Sequence, residues 1–271
     1  MCAPAWDQLA DRVWSVSPFI LWDVDGTLLR TPGVGIAALH RAIQRVTGML
    51  PSEALPYAGM LDHRIALDHL NALGLDGQAH LQAVLAASEQ ELAAARADIT
   101  AQGFLLPGVA ELLARLSGID GVLQTVLTGN LRANAVLKVT EFGLDQWLDL
   151  DVGAYADDGP ERSELVSVAL RRASELRDRQ FDLSDIWVIG DTGHDLACAR
   201  ANGVQCLLVG TGWEPLPVSA RKEADAFLPD LSDTDAVLGV LRTAIDHDTI
   251  IRVDEGRSRV PDSTDPECDP G

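Results

Sequence analysis

Four short apolar runs in this chain each give way at once to a polar or glycine-bearing loop, and this pattern narrows the fold more than any other feature. The runs are Phe19-Ile20-Leu21-Trp22 before Asp23 to Thr27, Val122 to Leu127 before Thr128-Gly129-Asn130, Ile186 to Ile189 before Gly190-Asp191, and Val204 to Val209 before Gly210-Thr211-Gly212. Short apolar segments closed by turn chemistry read as buried strands. Helical stretches stand between them: Val109 to Leu116, Leu131 to Phe142, Ser163 to Leu176, and Asp195 to Ala201, the last ending at Asn202-Gly203 as a helix C-terminus should. Strands alternating with helices imply an α/β chain with a Rossmann-like parallel sheet covered on both faces. Such sheets bind ligands at the carboxyl ends of their strands, and all four polar loops fall at that edge.

The stretch from Thr31 to Gln102 breaks the alternation. It is rich in Ala and Leu and repeats apolar residues at helical spacing through Ile36, Leu39, Ile43 and Val46. Its second half, Leu81 to Ile99, reads as one long helix. An all-helical insertion directly after the first strand would cover the sheet's carboxyl edge as a cap. The expected division is therefore a core of residues 18–30 and 105–248, a helical cap of residues 31–104, an N-terminal extension of residues 1–17, and a disordered tail over residues 252–271. The tail expectation rests on a segment rich in Pro, acidic and small polar residues with no apolar period.

Charge excludes several function classes. A formal net charge of -20 over 271 residues opposes binding to nucleic acid or anionic lipid, which needs clustered Lys and Arg. Lysine occurs only at Lys138 and Lys222, so an anionic ligand would meet mostly arginines or a metal. No apolar run approaches the roughly 20 residues of a membrane span, and Asp7, Asp11 and Arg12 interrupt the N-terminal segment where a signal peptide would lie. The four cysteines, Cys2, Cys198, Cys206 and Cys268, form no CxxC pair and are expected to be free thiols. A cytoplasmic protein is the expectation.

Asp23-Val24-Asp25-Gly26-Thr27-Leu28-Leu29 sets two carboxylates two positions apart at a strand end. If the backbone stays extended, both lie on one face and converge on one space, where one can attack an electrophile while the other moves protons. Trp22, by the same alternation, points away from Asp23 into the core. With its apolar lead-in, this segment resembles the first motif of the haloacid dehalogenase-like superfamily, hhhDxDGT(L/V). Thr128-Gly129-Asn130 resembles the second motif. Val188-Ile189-Gly190-Asp191-Thr192-Gly193-His194-Asp195 resembles the fourth, hhGDxxxD. The three stand in the right order, each after a strand, and the resemblance spans about residues 18 to 245.

The third motif is a basic residue, usually Lys, at the start of the helix preceding the fourth-motif strand. Here Arg162 stands there, after Asp157-Asp158-Gly159-Pro160-Glu161, which departs from the pattern. Lys138 is the rival, but it lies about two helical turns beyond Asn130, and at roughly 1.5 Å per residue its Cα would be some 12 Å away. Arg162 is therefore preferred.

The resemblance implies a Mg²⁺-dependent phosphatase acting on a small phosphorylated metabolite. Asp23 would be the nucleophile and Asp25 the general acid and base. Asp23 and Asp191 would be carboxylate ligands of Mg²⁺, with Asp25 binding through its backbone carbonyl and Asp195 from the outer shell. Thr128, Gly129, Asn130 and Arg162 would hold the phosphoryl group. Asp25 separates this chain from dehalogenases of the same fold, which lack it, and from ATPase relatives, which carry Thr there. The absence of any Lys between Thr31 and Gln102 argues against a phosphonate hydrolase using a cap Schiff base. A phosphomutase of the β-phosphoglucomutase type and a non-catalytic binding protein remain the alternatives. Tyr57 to Asp62 resembles a Gly-x-x-Asp cap segment of phosphoglycolate phosphatase and β-phosphoglucomutase relatives, and His40, Arg41, His63, Arg64 and His69 are the cap's candidate substrate contacts, each more readily explained as a solvated helix residue.

Overall fold

The computed structural model describes residues 18–51, 55 and 57–242. The N-terminal extension and the tail of the sequence reading lie outside the described residues. In chain order the strands are β1 (Phe19–Trp22), β2 (Leu29–Arg30), β3 (Phe104–Leu105), β4 (Leu123–Val126), β5 (Ile186–Gly190), β6 (Gln205–Val209) and β7 (Ala226–Leu228). The helices are α1 (Val34–Thr47), α2 (Asp62–Ala72), α3 (Gly77–Ala94), α4 (Arg96–Gln102), α5 (Val109–Ser117), α6 (Arg132–Glu141), α7 (Leu165–Arg177), α8 (Gly193–Asn202) and α9 (Val218–Glu223).

Five strands form one parallel sheet in the order β4-β1-β5-β6-β7. The period-two geometry of a strand is visible in its packing. Ile20, Trp22, Trp187, Ile189, Leu207 and Val209 face one side, where they meet Leu112, Leu113 and Leu116 of α5 and Ala135 and Val139 of α6. Phe19, Leu21, Ile186, Val188, Cys206 and Leu208 face the other, against α7 and α8. Burial on both faces explains why these strands read as unbroken apolar runs rather than alternating ones. Trp22 is fully buried, as its direction away from Asp23 requires, and Cys198 and Cys206 are free thiols.

Four helices, α1 to α4, stand between β2 and β3, and these two short strands pair antiparallel (Leu29 with Leu105, Arg30 with Phe104), closing the insertion at its base. The helices bury a core of their own, in which Leu39 and Ile43 of α1 meet Ile65 and Leu70 of α2 and Val84 of α3. The single helix expected over Leu81 to Ile99 is corrected: the chain leaves helical geometry at Ala95, whose φ of -91° and ψ of 16° end α3. Beyond the turn, Ile99 of α4 packs with Leu92, Ala95, Val34 and Ala38. Among the described residues no helix is long and apolar enough to cross a membrane.

Candidate active site

The site is built at the carboxyl ends of β1, β4 and β5, roofed by the helical insertion. Asp23 follows β1 directly, and its backbone N–H donates to Ile189 O of the neighbouring strand at 2.9 Å, which fixes it at the sheet edge. The chain then turns at Gly26, whose φ of +94° favours glycine; a Cβ there would also come within 2.5 Å of Asp191 Oδ2. The turn brings Thr27 Oγ1 to donate to Asp191 Oδ1 at 2.9 Å. Thr211, in the loop after β6, donates its hydroxyl to Gly26 O at 2.6 Å. The two loops therefore hold Asp191 between them.

Asp191 follows β5, and Asp195 lies in the first turn of α8. There Asp195 Oδ2 accepts from Thr192 N at 3.0 Å and from Thr192 Oγ1 at 2.7 Å, a reciprocal cap that locks its rotamer. Carboxylate oxygens of Asp23, Asp191 and Asp195 lie within 4.8 Å of one another, and all three residues are buried. Such groups resist ionising together. Burial raises the Asp191 carboxyl well above its ordinary range, and Asp23 and Asp195 add to this. Burial likewise raises that of Asp23, against partial relief from Arg162. The donors are oxygen only, buried and mutually repelling, and this set fits a hard divalent cation.

Two basic side chains reach the cluster from different elements. Arg162, in a short turn of helix ahead of α7, is 8% exposed and pairs with Asp195 Oδ1 at 2.5 Å and Asp23 Oδ1 at 3.1 Å. Burial alone would lower its pKa, but Asp195 and Asp23 outweigh that and raise it, so the guanidinium stays charged. Lys138, on α6, is also buried. Its Nζ donates to Asp25 Oδ2 at 2.5 Å and to Asn130 Oδ1 at 2.7 Å. The separation of the Lys138 Cα from Asn130 therefore does not keep its ammonium out of the site. Helical side chains tilt toward the N-terminus of their helix, and a lysine reaches back over the two turns separating it from Asn130. The preference for Arg162 over Lys138 is not exclusive, since both stand at the site, one on the Asp23 side and one on the Asp25 side.

Thr128 is buried after β4, and its hydroxyl accepts from Asn130 N at 3.3 Å. A Cβ at Gly129 would overlap the carbonyl of Met60 in the insertion, so glycine lets the two segments touch. The seam is then hydrogen-bonded: Asp62 N donates to Gly129 O at 2.7 Å, Leu131 N to Asp62 Oδ2 at 2.8 Å, and Arg162 Nη1 to Gly59 O at 3.2 Å. Burial raises the Asp62 carboxyl to about 6, against partial relief from Lys138.

A cavity of about 220 Å³ opens over these groups and is lined by Asp23, Asp25, Thr128, Gly129, Asn130, Lys138, Arg162 and Asp191 from below. Asp195 lies behind Arg162, fully buried. Sequence reasoning missed Asp62, Asn134 and Trp213 as cavity walls, although Asp62 belongs to the Gly-x-x-Asp segment it singled out and Trp213 follows the polar loop after β6. The five cap candidates do not line the cavity: His40 and His69 approach each other at 3.4 Å, Arg41 pairs with Glu91, Arg64 with Asp68, and His63 meets Pro160 O.

Comparison with known proteins gives the family and the fold. The profile of the family described as haloacid dehalogenase-like hydrolase matches residues 20–200. The chain is 28% identical over 200 residues to the tyrosine-protein kinase PtkA of Mycobacterium tuberculosis, a match covering 72% of this chain and 62% of that protein. It is 29% identical over 204 residues to "Probable phosphatase IndB" of Dickeya dadantii, covering 73% of this chain and 82% of the relative. Among solved structures, CbbY from Rhodobacter sphaeroides in complex with phosphate superposes with a TM-score of 0.59 at 19% identity, over 80% of this chain and 96% of that one.

Proposed function

The chain belongs to the haloacid dehalogenase-like hydrolases, and on that footing we propose that it is a Mg²⁺-dependent phosphatase that hydrolyses a small phosphorylated metabolite through a phosphorylated Asp23. The observation that carries the reading is the division of charge around Asp23: acidic partners Asp191 and Asp195 beside it, and Arg162 and Lys138 bracketing Asp23 and Asp25 within one cavity. Asp23, Asp191 and the Asp25 backbone carbonyl, with Asp195 from the outer shell, would hold the cation, which would supply positive charge to offset nucleophile and phosphate alike.

The residues divide the work as follows. A carboxylate oxygen of Asp23 attacks phosphorus, and the bond from phosphorus to the alcohol oxygen breaks. Asp25 delivers its proton to that oxygen, so the alcohol leaves neutral. In the second half Asp25 takes a proton from water, the water oxygen attacks phosphorus, and the bond to Asp23 breaks, releasing inorganic phosphate and restoring both carboxyls. Lys138 orients Asp25 toward the leaving group. Thr128, Gly129 and Asn130 hold the phosphoryl oxygens with Arg162, whose second task is to keep Asp195 and Asp23 from repelling each other. Residence in the cytoplasm, where phosphorylated metabolites are found, belongs to the same reading.

The test is hydrolysis of an aryl phosphate and of a panel of sugar and carboxylic acid phosphates by the purified protein, with Mg²⁺ and with a chelator. Turnover that survives chelation overturns the reading. Stoichiometric phosphate release from a hexose 1-phosphate excludes the mutase alternative, and turnover that vanishes in a folded Asp23→Asn variant excludes a non-catalytic binding protein.

A further inference from the structure

The phosphoryl end of the cavity is polar, whereas the end formed by the helical insertion is mostly apolar. Ile36 and Leu39 of α1, Met60, Ile65 of α2, and Leu85 and Leu92 of α3 form its wall. Tyr57 and Trp213 stand at the mouth, each with more than a third of its surface exposed, and Arg30 stacks on the Trp213 indole at 4.3 Å. Among the described residues, the insertion contributes no cationic side chain to the cavity.

The two cations that do line it, Lys138 and Arg162, are both engaged by carboxylates, Lys138 by Asp25 and Arg162 by Asp23 and Asp195. The insertion's one charged wall residue is Asp62, which is acidic. A substrate bringing a second carboxylate or phosphate would meet repulsion from Asp62, while Arg30, the cation at the mouth, is turned onto the Trp213 ring and the carbonyls of Thr211 and Gly212. A polyol fares little better. Its several buried hydroxyls would each need a partner, whereas beyond the phosphoryl end the cavity provides the Thr31, Tyr57 and Ser88 hydroxyls, the Asn134 amide, whose Oδ1 has no hydrogen-bond partner, and an Asp62 carboxylate already accepting from Leu131 N.

We infer that the preferred substrate is the phosphate monoester of a small, uncharged, apolar alcohol, aliphatic or aromatic, rather than a phosphorylated hydroxy acid or a sugar phosphate. This rests on the phosphatase reading above and narrows it. At about 220 Å³ the cavity falls below the roughly 300–1,000 Å³ of typical ligand clefts, so the alcohol is short. Selectivity comes from the leaving group displacing water from the wall of Ile36, Leu39, Ile65 and Leu85.

Non-hydrolysable phosphonates separate recognition from turnover. In the presence of Mg²⁺, competition of methyl-, ethyl-, propyl- and butylphosphonate against aryl phosphate hydrolysis should give inhibition constants that fall about three- to fourfold per added methylene, the gain expected when each is buried. Phosphonoacetate should bind more weakly than propylphosphonate, and kcat/KM for phenyl phosphate should exceed that for phosphoglycolate and glucose 6-phosphate by at least tenfold. Leu85→Arg puts a cation into the wall and should reverse the order of propylphosphonate and phosphonoacetate. Where that variant does not fold, the series on the unaltered chain decides alone. Constants independent of chain length, or phosphonoacetate binding as tightly as propylphosphonate, overturn the inference while hydrolysis itself leaves the phosphatase reading standing. Absence of hydrolysis of every ester, aryl phosphate included, removes that reading and this inference with it.

Discussion

Replacing Lys138 by Met tests the arrangement around Asp25, because methionine keeps most of the buried volume and removes the charge and its hydrogen-bond donors. Lys138 Nζ makes two hydrogen bonds, to Asp25 Oδ2 and Asn130 Oδ1. Hydrogen bonds to charged groups are worth about 1.5–3 kcal/mol each. The Asp25 side chain is 30% exposed, so water replaces part of what the lysine supplied. Loss of orientation at Asp25 should then cost about 2 kcal/mol in the step that protonates the leaving oxygen, or about 30-fold in rate.

The dependence on leaving group separates the possible roles of Lys138. An alkyl phosphate requires proton delivery and should suffer the full loss in kcat, whereas an aryl phosphate, which leaves readily as phenolate, should lose less in the first step. Steady-state kcat and KM for both esters, with thermal unfolding as a check on the fold, provide the readout. A rise in KM with kcat unchanged would mean that Lys138 binds the phosphoryl group and does not act through Asp25. A loss under threefold on both esters, in a folded variant, would remove any role for it.

Asp25→Asn keeps the nucleophile and should lower turnover of an alkyl phosphate by roughly 100- to 10,000-fold while leaving Mg²⁺ affinity, measured by calorimetry, nearly unchanged; abolished metal binding would contradict the division of roles. Arg162→Met leaves buried Asp23 and Asp195 without their shared cation, so the variant should unfold at a lower temperature than the parent and be stabilised more than the parent by added Mg²⁺, as differential scanning calorimetry can show. Asp62→Asn removes a carboxyl held at about 6 by burial, against an ordinary 3.8. Since the folded chain retains this proton where the unfolded chain has lost it, Asp62 lowers stability as pH rises from about 4 to 6, by up to about 3 kcal/mol and less where cavity water reaches it; urea titrations should find Asp62→Asn gaining on the parent at pH 7.5 and not at pH 4, and a pH-independent difference would refute this.

The legible parts of the fold are those whose physics is local. Strands buried on both faces leave continuous apolar runs, so β1, β4, β5 and β6 stood out, and the glycine and aspartate turns behind them marked the edge where Asp23, Thr128 and Asp191 meet. Strand β7, Ala226–Leu228, is short and half-buried, and carries no comparable run. The pairing of β2 with β3 joins segments more than seventy positions apart, a register that only the folded insertion creates. The break at Ala95 was equally hidden, since Ala favours helix and the cause is the packing of Ile99 against Leu92 and Val34.

Lys138 and Asp62 show why the cap side of a site is harder to read than the sheet side. On the sheet, two residues at a strand end share a face by counting, and Asp23 and Asp25 needed nothing further. Across the seam, position depends on how a helix docks. Asp62 begins α2, and its backbone and carboxylate together hold Gly129 O and Leu131 N. The loop carrying Thr128 and Asn130 is thus tied to the insertion by the same residue that makes the cavity wall acidic. Lys138, one turn beyond Asn134 on α6, then fills the space between that loop and Asp25. A shift of α2 against the core would therefore move Gly129, Asn130 and Lys138 together and carry Asp25 with them. The insertion that selects the alcohol is in this way mechanically joined to the groups that hold the phosphoryl oxygens and deliver the proton, so a leaving group that fails to seat against Ile65 and Leu85 should lower kcat as well as raise KM.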